Sequence, residues 1–154
     1  MSNPTSAVPE VQASAQWVGD KAFLTNGSSG HAVVLDAAKD GSAPGPMEMV
    51  LRSLCACSAV DVVLVLKKAR QGLRHLDISA RGERATTHPS VYNRIHLVYR
   101  VVGDRLDRAV VERAVALSQE KYCSVFGTLR QTAEMSHEIV VEEAAASEAA
   151  AQAS

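Results

Sequence analysis

The sequence predicts an α+β fold dominated by antiparallel sheet, and three observations carry that expectation. Short stretches in which apolar and polar residues alternate recur along the chain, which is the period of half-buried strands. One long segment between them lacks Gly and Pro and is apolar around its whole circumference. A second helical segment then precedes a last alternating stretch, so strands and helices are grouped and do not follow strict β-α-β order.

At the N-terminal side, Val11, Ala13, Ala15 and Trp17 alternate with Gln12, Ser14 and Gln16, the pattern of a first strand. "KAFLT" is a short second strand, and after the turn cluster "NGSSG" the β-branched "HAVVLDA" is a third. "KDGSAPGP" is a loop whose final Pro46 suits the first position of a helix, where no intrahelical N–H is needed. The helix is expected from Met47 to about Gln71, with Glu48 and Arg52 at i,i+4, basic residues in its last turn and Gly72 as its stop. Its central turns are apolar on all sides, so it is expected to be buried on all sides, in a core or against a partner chain.

Two half-buried strands should follow. Leu76, Ile78 and Ala80 form the apolar face of the first, and Ile95, Leu97, Tyr99 and Val101 that of the second. "DRLDRAVVERAVALSQEKY" returns to helical spacing with Val110, Ala114 and Leu117 on one stripe, and "SVFGTLRQTA" is a short further helix. "MSHEIVVEE" closes the order as a strand with Met135, His137, Ile139 and Val141 on one face. Residues 11–142 are therefore expected to form a single domain. Residues 1–10 and the Ala-rich tail 143–154 carry too little apolar surface to offset chain entropy and are expected to be disordered.

A chain of 154 residues with 47% apolar composition can bury one good core. The formal net charge of -1, with Lys and Arg scattered, offers no footprint for nucleic acid. The start of the chain lacks a basic-then-apolar leader, and the run "SLCACSAVDVVLVL" looks too short and too interrupted by Asp61 to span a bilayer. A cytoplasmic protein without a membrane segment is expected. Three cysteines in a reducing compartment argue against a structural disulfide framework and leave packing, metal binding or redox chemistry.

Cys55 and Cys57 lie two apart on the helix, so their side chains diverge by roughly 200° and cannot share a metal or a disulfide. No metal site is expected on that ground. Cys57 shares a face with Ser53, Val60 and Asp61. Free cysteine behaves as a small buried hydrophobe, so packing competes with reactivity for all three. Cys123 lies in the break between two helical patterns, where the free N–H groups of the following helix favour a thiolate. Asp61, inside an apolar run, needs a partner; an ion pair with an Arg or Lys of the strands competes with a catalytic role.

"PMEMVLRSLCACSAVDVV" followed by "LSQEKYCSV" resembles the OsmC/Ohr family, the osmotically inducible and organic hydroperoxide resistance proteins, and most closely its YhfA-like branch. The resemblance covers about residues 11–142. It implies an intertwined homodimer, with antiparallel sheets wrapped around long central helices and active sites at the subunit interface. It implies that Cys57 is the peroxidatic cysteine and Cys123 its resolving partner, with Cys55 as packing. The implied activity is reduction of organic hydroperoxides without metal or organic cofactor, through a Cys57 sulfenic acid that Cys123 captures as a disulfide. A small hydrophobic peroxide or electrophile and a dithiol reductant are the implied partners. The Glu that family members carry at the start of the central helix is Met47 here, with Glu48 beside it. No Arg precedes Arg52, and Lys21, His31 or Glu48 stand as substitutes. The competing function is that of a ligand-binding or redox-sensing protein whose thiols line an apolar pocket.

Overall fold

The computed structural model describes residues 10–146, which form two compact units, one ending at Met49 and the other beginning at Val50. The terminal segments expected to be disordered fall largely outside these residues. Glu143 does not: it ends a strand, and its carboxylate accepts the backbone N–H of Arg105 at 3.0 Å.

The first unit is an antiparallel sheet in the order β1 (Ala13–Gly19), β2 (Ala22–Gly27), β3 (Val33–Asp36). Asp20 turns the β1–β2 hairpin at positive φ, and its carbonyl accepts the Trp17 indole N–H at 3.1 Å. Asp36 organises the loop that follows. Its carboxylate accepts the N–H groups of Ala38 and Ser42 at 2.9 and 3.0 Å, and these bonds hold its carboxyl below the usual range.

The long helix α1 (Pro46–Lys68) begins at the expected proline. It does not stop at Gly72. Arg70 takes the left-handed conformation at φ 55, and the Gln71 N–H reaches back to the Leu66 carbonyl at 3.0 Å, closing the helix two residues earlier. Gly72 instead opens a strand where a Cβ would lie 2.5 Å from the Asp104 carbonyl oxygen.

The second unit's sheet runs β4 (Gly72–Arg84), β5 (Tyr92–Asp104), β6 (Glu134–Glu143). β4 and β5 pair antiparallel, as the alternation requires, but β6 pairs parallel to β5, from Arg94↔Glu134 to Gly103↔Glu143. The sheets are mostly antiparallel, as expected, and this one parallel pairing has a topological reason. β5 leads into α2 (Arg108–Leu117), a π-helical turn (Ser118–Tyr122) and α3 (Ser124–Leu129), a crossover that returns the chain to the same end of the sheet. Arg100 on β5 grips both oxygens of Glu142 on β6 at 3.0 and 2.7 Å and reaches Asp77 on β4 at 3.3 Å, pinning the register of all three strands.

Ile95, Leu97, Tyr99 and Val101 of β5 are fully buried, together with Leu54, Val62 and Leu66 of α1 and Val111 and Val115 of α2. The buried stripe of α2 is Val111, Ala114 and Val115, which shares Ala114 with the expected Val110–Leu117 line and is otherwise offset from it by one or two residues. α1 is not buried on all sides within its own chain. Leu54, Ser58, Val62 and Leu66 form the covered ridge, whereas Val60 and Leu64 are 59% and 61% exposed. At 23 residues, and with a window of mean hydropathy 2.1, α1 is also long and apolar enough to cross a membrane, so the expectation that length forbids this does not hold.

A Cβ at Gly103 would fall on the Gly72 carbonyl oxygen, in the close pairing where β4 meets β5. Gly103→Ala is therefore expected to destabilise the protein by about 1–3 kcal/mol, read as a lower urea midpoint at unchanged slope; an unchanged midpoint would show that the strands part at no cost.

Candidate functional site

Helical spacing places Cys57 and Asp61 one turn apart on the same face of α1, with Ser58 turned from Cys57 into the buried ridge. The second half of the site comes from the chain around the π turn. There the Cys123 N–H bonds the Ser118 carbonyl at 2.8 Å, one residue beyond the α-helical partner, and the widened turn leaves Cys123 extended (φ -73, ψ 100) at the head of α3. The sulfurs of Cys57 and Cys123 and a carboxylate oxygen of Asp61 all lie within 4.8 Å of one another. Cys57 and Asp61 are half-buried and Cys123 is buried.

Two hydroxyls that are fully buried join the halves. Ser58 Oγ donates to Cys123 Sγ at 3.6 Å, and Ser118 Oγ donates to Asp61 Oδ2 at 3.0 Å. Behind Ser58 stands the buried Tyr99, whose phenol also hydrogen-bonds with Ser58 and accepts the Gln119 side-chain amide at 3.2 Å. The Cys123 sulfur also accepts the Phe126 N–H at 3.4 Å. Cys123 Sγ thus receives two donors, and the Cys57 sulfur lies beside it.

The electrostatics follow from that arrangement. Burial pushes the Cys123 thiol above its ordinary value, and the neighbouring Cys57 thiol pushes the same way, against the Phe126 amide and the Ser58 hydroxyl. The expected helix-terminal stabilisation of a Cys123 thiolate is thus present as one N–H bond and is outweighed by desolvation. Burial likewise pushes up the Tyr99 phenol and the thiol of half-buried Cys55.

Of the residues anticipated from sequence, Cys57 and Cys123 come together, and Cys55 stands outside their cluster. Asp61 does find a partner, but it is Ser118 and not a cationic strand residue. Lys21, His31, Met47 and Glu48 belong to the first unit. Ser58, Tyr99, Ser118 and Gln119 were not anticipated. The only sign of them is that Ser58 and Ser118 interrupt apolar ridges at positions where a hydroxyl needs a buried partner.

Residues 39–138 match the family described as OsmC-like protein. Protein YhfA of Escherichia coli (strain K12) is 40% identical over 127 residues, covering 82% of this chain and 95% of that one. A hypothetical protein from Aquifex aeolicus VF5, of known crystal structure, is 31% identical with a TM-score of 0.76, covering 88% of this chain and all of the other. The organic hydroperoxide resistance protein OsmC of Legionella pneumophila shares the fold at a TM-score of 0.65 and 17% identity, over 88% of this chain and 100% of that one.

Cys55, Cys123 and Tyr99 are acids that the folded chain holds protonated above their ordinary values of 9.0, 9.0 and 10.0. The unfolded chain loses those protons first as pH rises, so their contribution is complete below about pH 9 and declines above it. The urea midpoint should accordingly fall from about pH 8 to about pH 10, and replacing Cys123 by Ser should flatten that fall. A midpoint as steep in the variant as in the wild type would mean that burial of this thiol does not hold its proton.

Proposed function

Because the chain belongs to the OsmC-like protein family, we propose that it is a thiol-dependent peroxidase that reduces organic hydroperoxides, with Cys57 attacking and Cys123 resolving. The observation that carries this reading is the meeting of two sulfurs from separate elements within 4.8 Å. In the first step the Cys57 sulfur, as thiolate, attacks the terminal peroxide oxygen. The O–O bond breaks, the alkoxide takes a proton and leaves as the alcohol, and Cys57 becomes a sulfenic acid. Cys123 then attacks that sulfur, expelling water and closing a disulfide of about 2.05 Å. A dithiol reductant resets both thiols, which suits a reducing compartment such as the cytoplasm.

The raised Cys123 thiol fits the resolving role, because it stays protonated while Cys57 reacts. Exposed Val60 and Leu64 flank the Cys57 face of α1 and favour a hydrophobic peroxide over hydrogen peroxide. One equivalent of cumene hydroperoxide should remove two free thiols per chain and leave Cys55 reduced, as read by intact mass and peptide mapping. In Cys123→Ser the reaction should stop at a trappable sulfenic acid on Cys57 and then over-oxidise, whereas Cys55→Ala should still form the disulfide. Survival of all three thiols would sink the peroxidase reading and leave a ligand-binding protein with the same fold.

The assembly that fits is a homodimer. Only 22% of the most apolar window of α1 is buried within one chain, and large side chains such as Val60 and Leu64 need further cover. The contacts of Ser58 and Asp61 with Cys123 and Ser118 tie α1 to its own unit, which favours a second copy over a bilayer as that cover. Light scattering at micromolar concentration should give twice the chain mass of 16.4 kDa, and Leu64→Glu should shift the species towards the single chain; a wild-type mass of one chain would refute the dimer.

A further inference from the structure

Cys55 and Cys57 diverge on α1 and cannot share a metal, but the fold brings a different set of ligand atoms together. Cys57, Cys123 and Asp61 each present one ligand atom, and all three atoms lie within 4.8 Å of one another. We propose that the reduced protein binds one Zn2+ per chain through Cys57 Sγ, Cys123 Sγ and an Asp61 carboxylate oxygen.

The donor chemistry selects the ion. Two thiolates and one carboxylate suit a borderline-soft divalent cation and exclude Mg2+ and Ca2+, which take oxygen ligands alone. A tetrahedral zinc with bonds of about 2.3 Å sets its sulfurs about 3.8 Å apart, so atoms already inside 4.8 Å need only a side-chain adjustment. The ligands are supported from outside. Ser118 Oγ donates to Asp61 Oδ2 at 3.0 Å and fixes the carboxylate, which has further lone pairs free for a metal. Ser58 and the Phe126 N–H donate to Cys123 Sγ and would offset charge on a metal-bound thiolate. Binding replaces the protons of the two thiols, which leave to solvent, and no electron is transferred. Three protein ligands leave the fourth zinc position to water.

Zinc binding needs only the three ligand atoms and the reduced state, and no peroxide chemistry. Both sulfurs are occupied in the zinc form, so zinc and the Cys57–Cys123 disulfide exclude one another.

The test uses the reduced full-length protein under anaerobic conditions, titrated with Co2+ as the spectroscopic probe and then with Zn2+ to displace it. One Co2+ per chain should bind with a thiolate-to-cobalt charge-transfer band, halved in Cys57→Ser and in Cys123→Ser and unchanged in Cys55→Ser. Asp61→Asn should weaken Zn2+ binding by at least about 10-fold, and Ser118→Ala by about 10-fold. Absence of the band, its full strength in Cys57→Ser, or unaltered affinity in Asp61→Asn would overturn the proposal. Should a variant fail to fold, the wild type decides by itself: Zn2+ should protect Cys57 and Cys123, but not Cys55, from maleimide, mapped by peptide mass. Equal alkylation of all three with and without Zn2+ would refute the site. Because no peroxide is present, failure here leaves the peroxidase reading intact, and failure of thiol loss under hydroperoxide leaves the zinc site intact.

Discussion

Two buried hydroxyls, Ser58 and Ser118, set the constraint on which the second unit's chemistry depends. Both side chains are wholly removed from solvent, and a buried hydroxyl without a partner costs on the order of 1–3 kcal/mol. Each finds its partner on the opposite element: Ser58 of α1 in the Cys123 sulfur, Ser118 of the π turn in the Asp61 carboxylate of α1. The two bonds run in opposite directions between the same two segments. Sliding α1 by one turn would orphan both at once, so they fix the helix in register against the chain that carries Cys123.

The π turn and the parallel strand belong to the same solution. A crossover from β5 to β6 must travel the length of the sheet through helix, and Cys123 lies within that crossover, between the π turn and α3. One extra residue in the turn before it lets the chain leave α2 with Ser118 facing α1 and then re-enter helix at Ser124. Beneath them, Tyr99 is buried on β5, the central strand, and the Arg100–Glu142–Asp77 cluster holds that strand between its neighbours. The site is thus backed by a sheet and not by a loop.

Burial and hydrogen bonding divide the labour between the two sulfurs. A thiol loses stabilisation as an anion when water is removed, and Cys123 is the more buried of the pair. The donors that surround it from Ser58 and Phe126 soften that penalty without cancelling it. Cys57, half-buried, is the sulfur that an incoming molecule can reach. The asymmetry comes from position alone, since the two residues are chemically identical.

Much of this was legible in the residues. Local patterns located β4, β5 and β6 to within one residue and β1, β2 and β3 to within two; Pro46 marked the start of α1; and the two cysteine-bearing segments carried the family resemblance. Local patterns suffice there because strand and helix periods are written in neighbouring residues. The stop of α1 was misread because Arg70, a residue with no special preference for the left-handed region, takes the place that Gly72 was expected to fill. What the sequence left open was everything that depends on long-range pairing. The parallel setting of β6, the offset stripe of α2 and the choice of Ser118 as partner of Asp61 all depend on which distant segment arrives opposite. The sequence by itself determined which elements form and that Cys57 and Asp61 share a helical face; only the tertiary structure decided that Cys123 meets them, because burying two hydroxyls and two sulfurs together is a property of packed surfaces and not of any one segment.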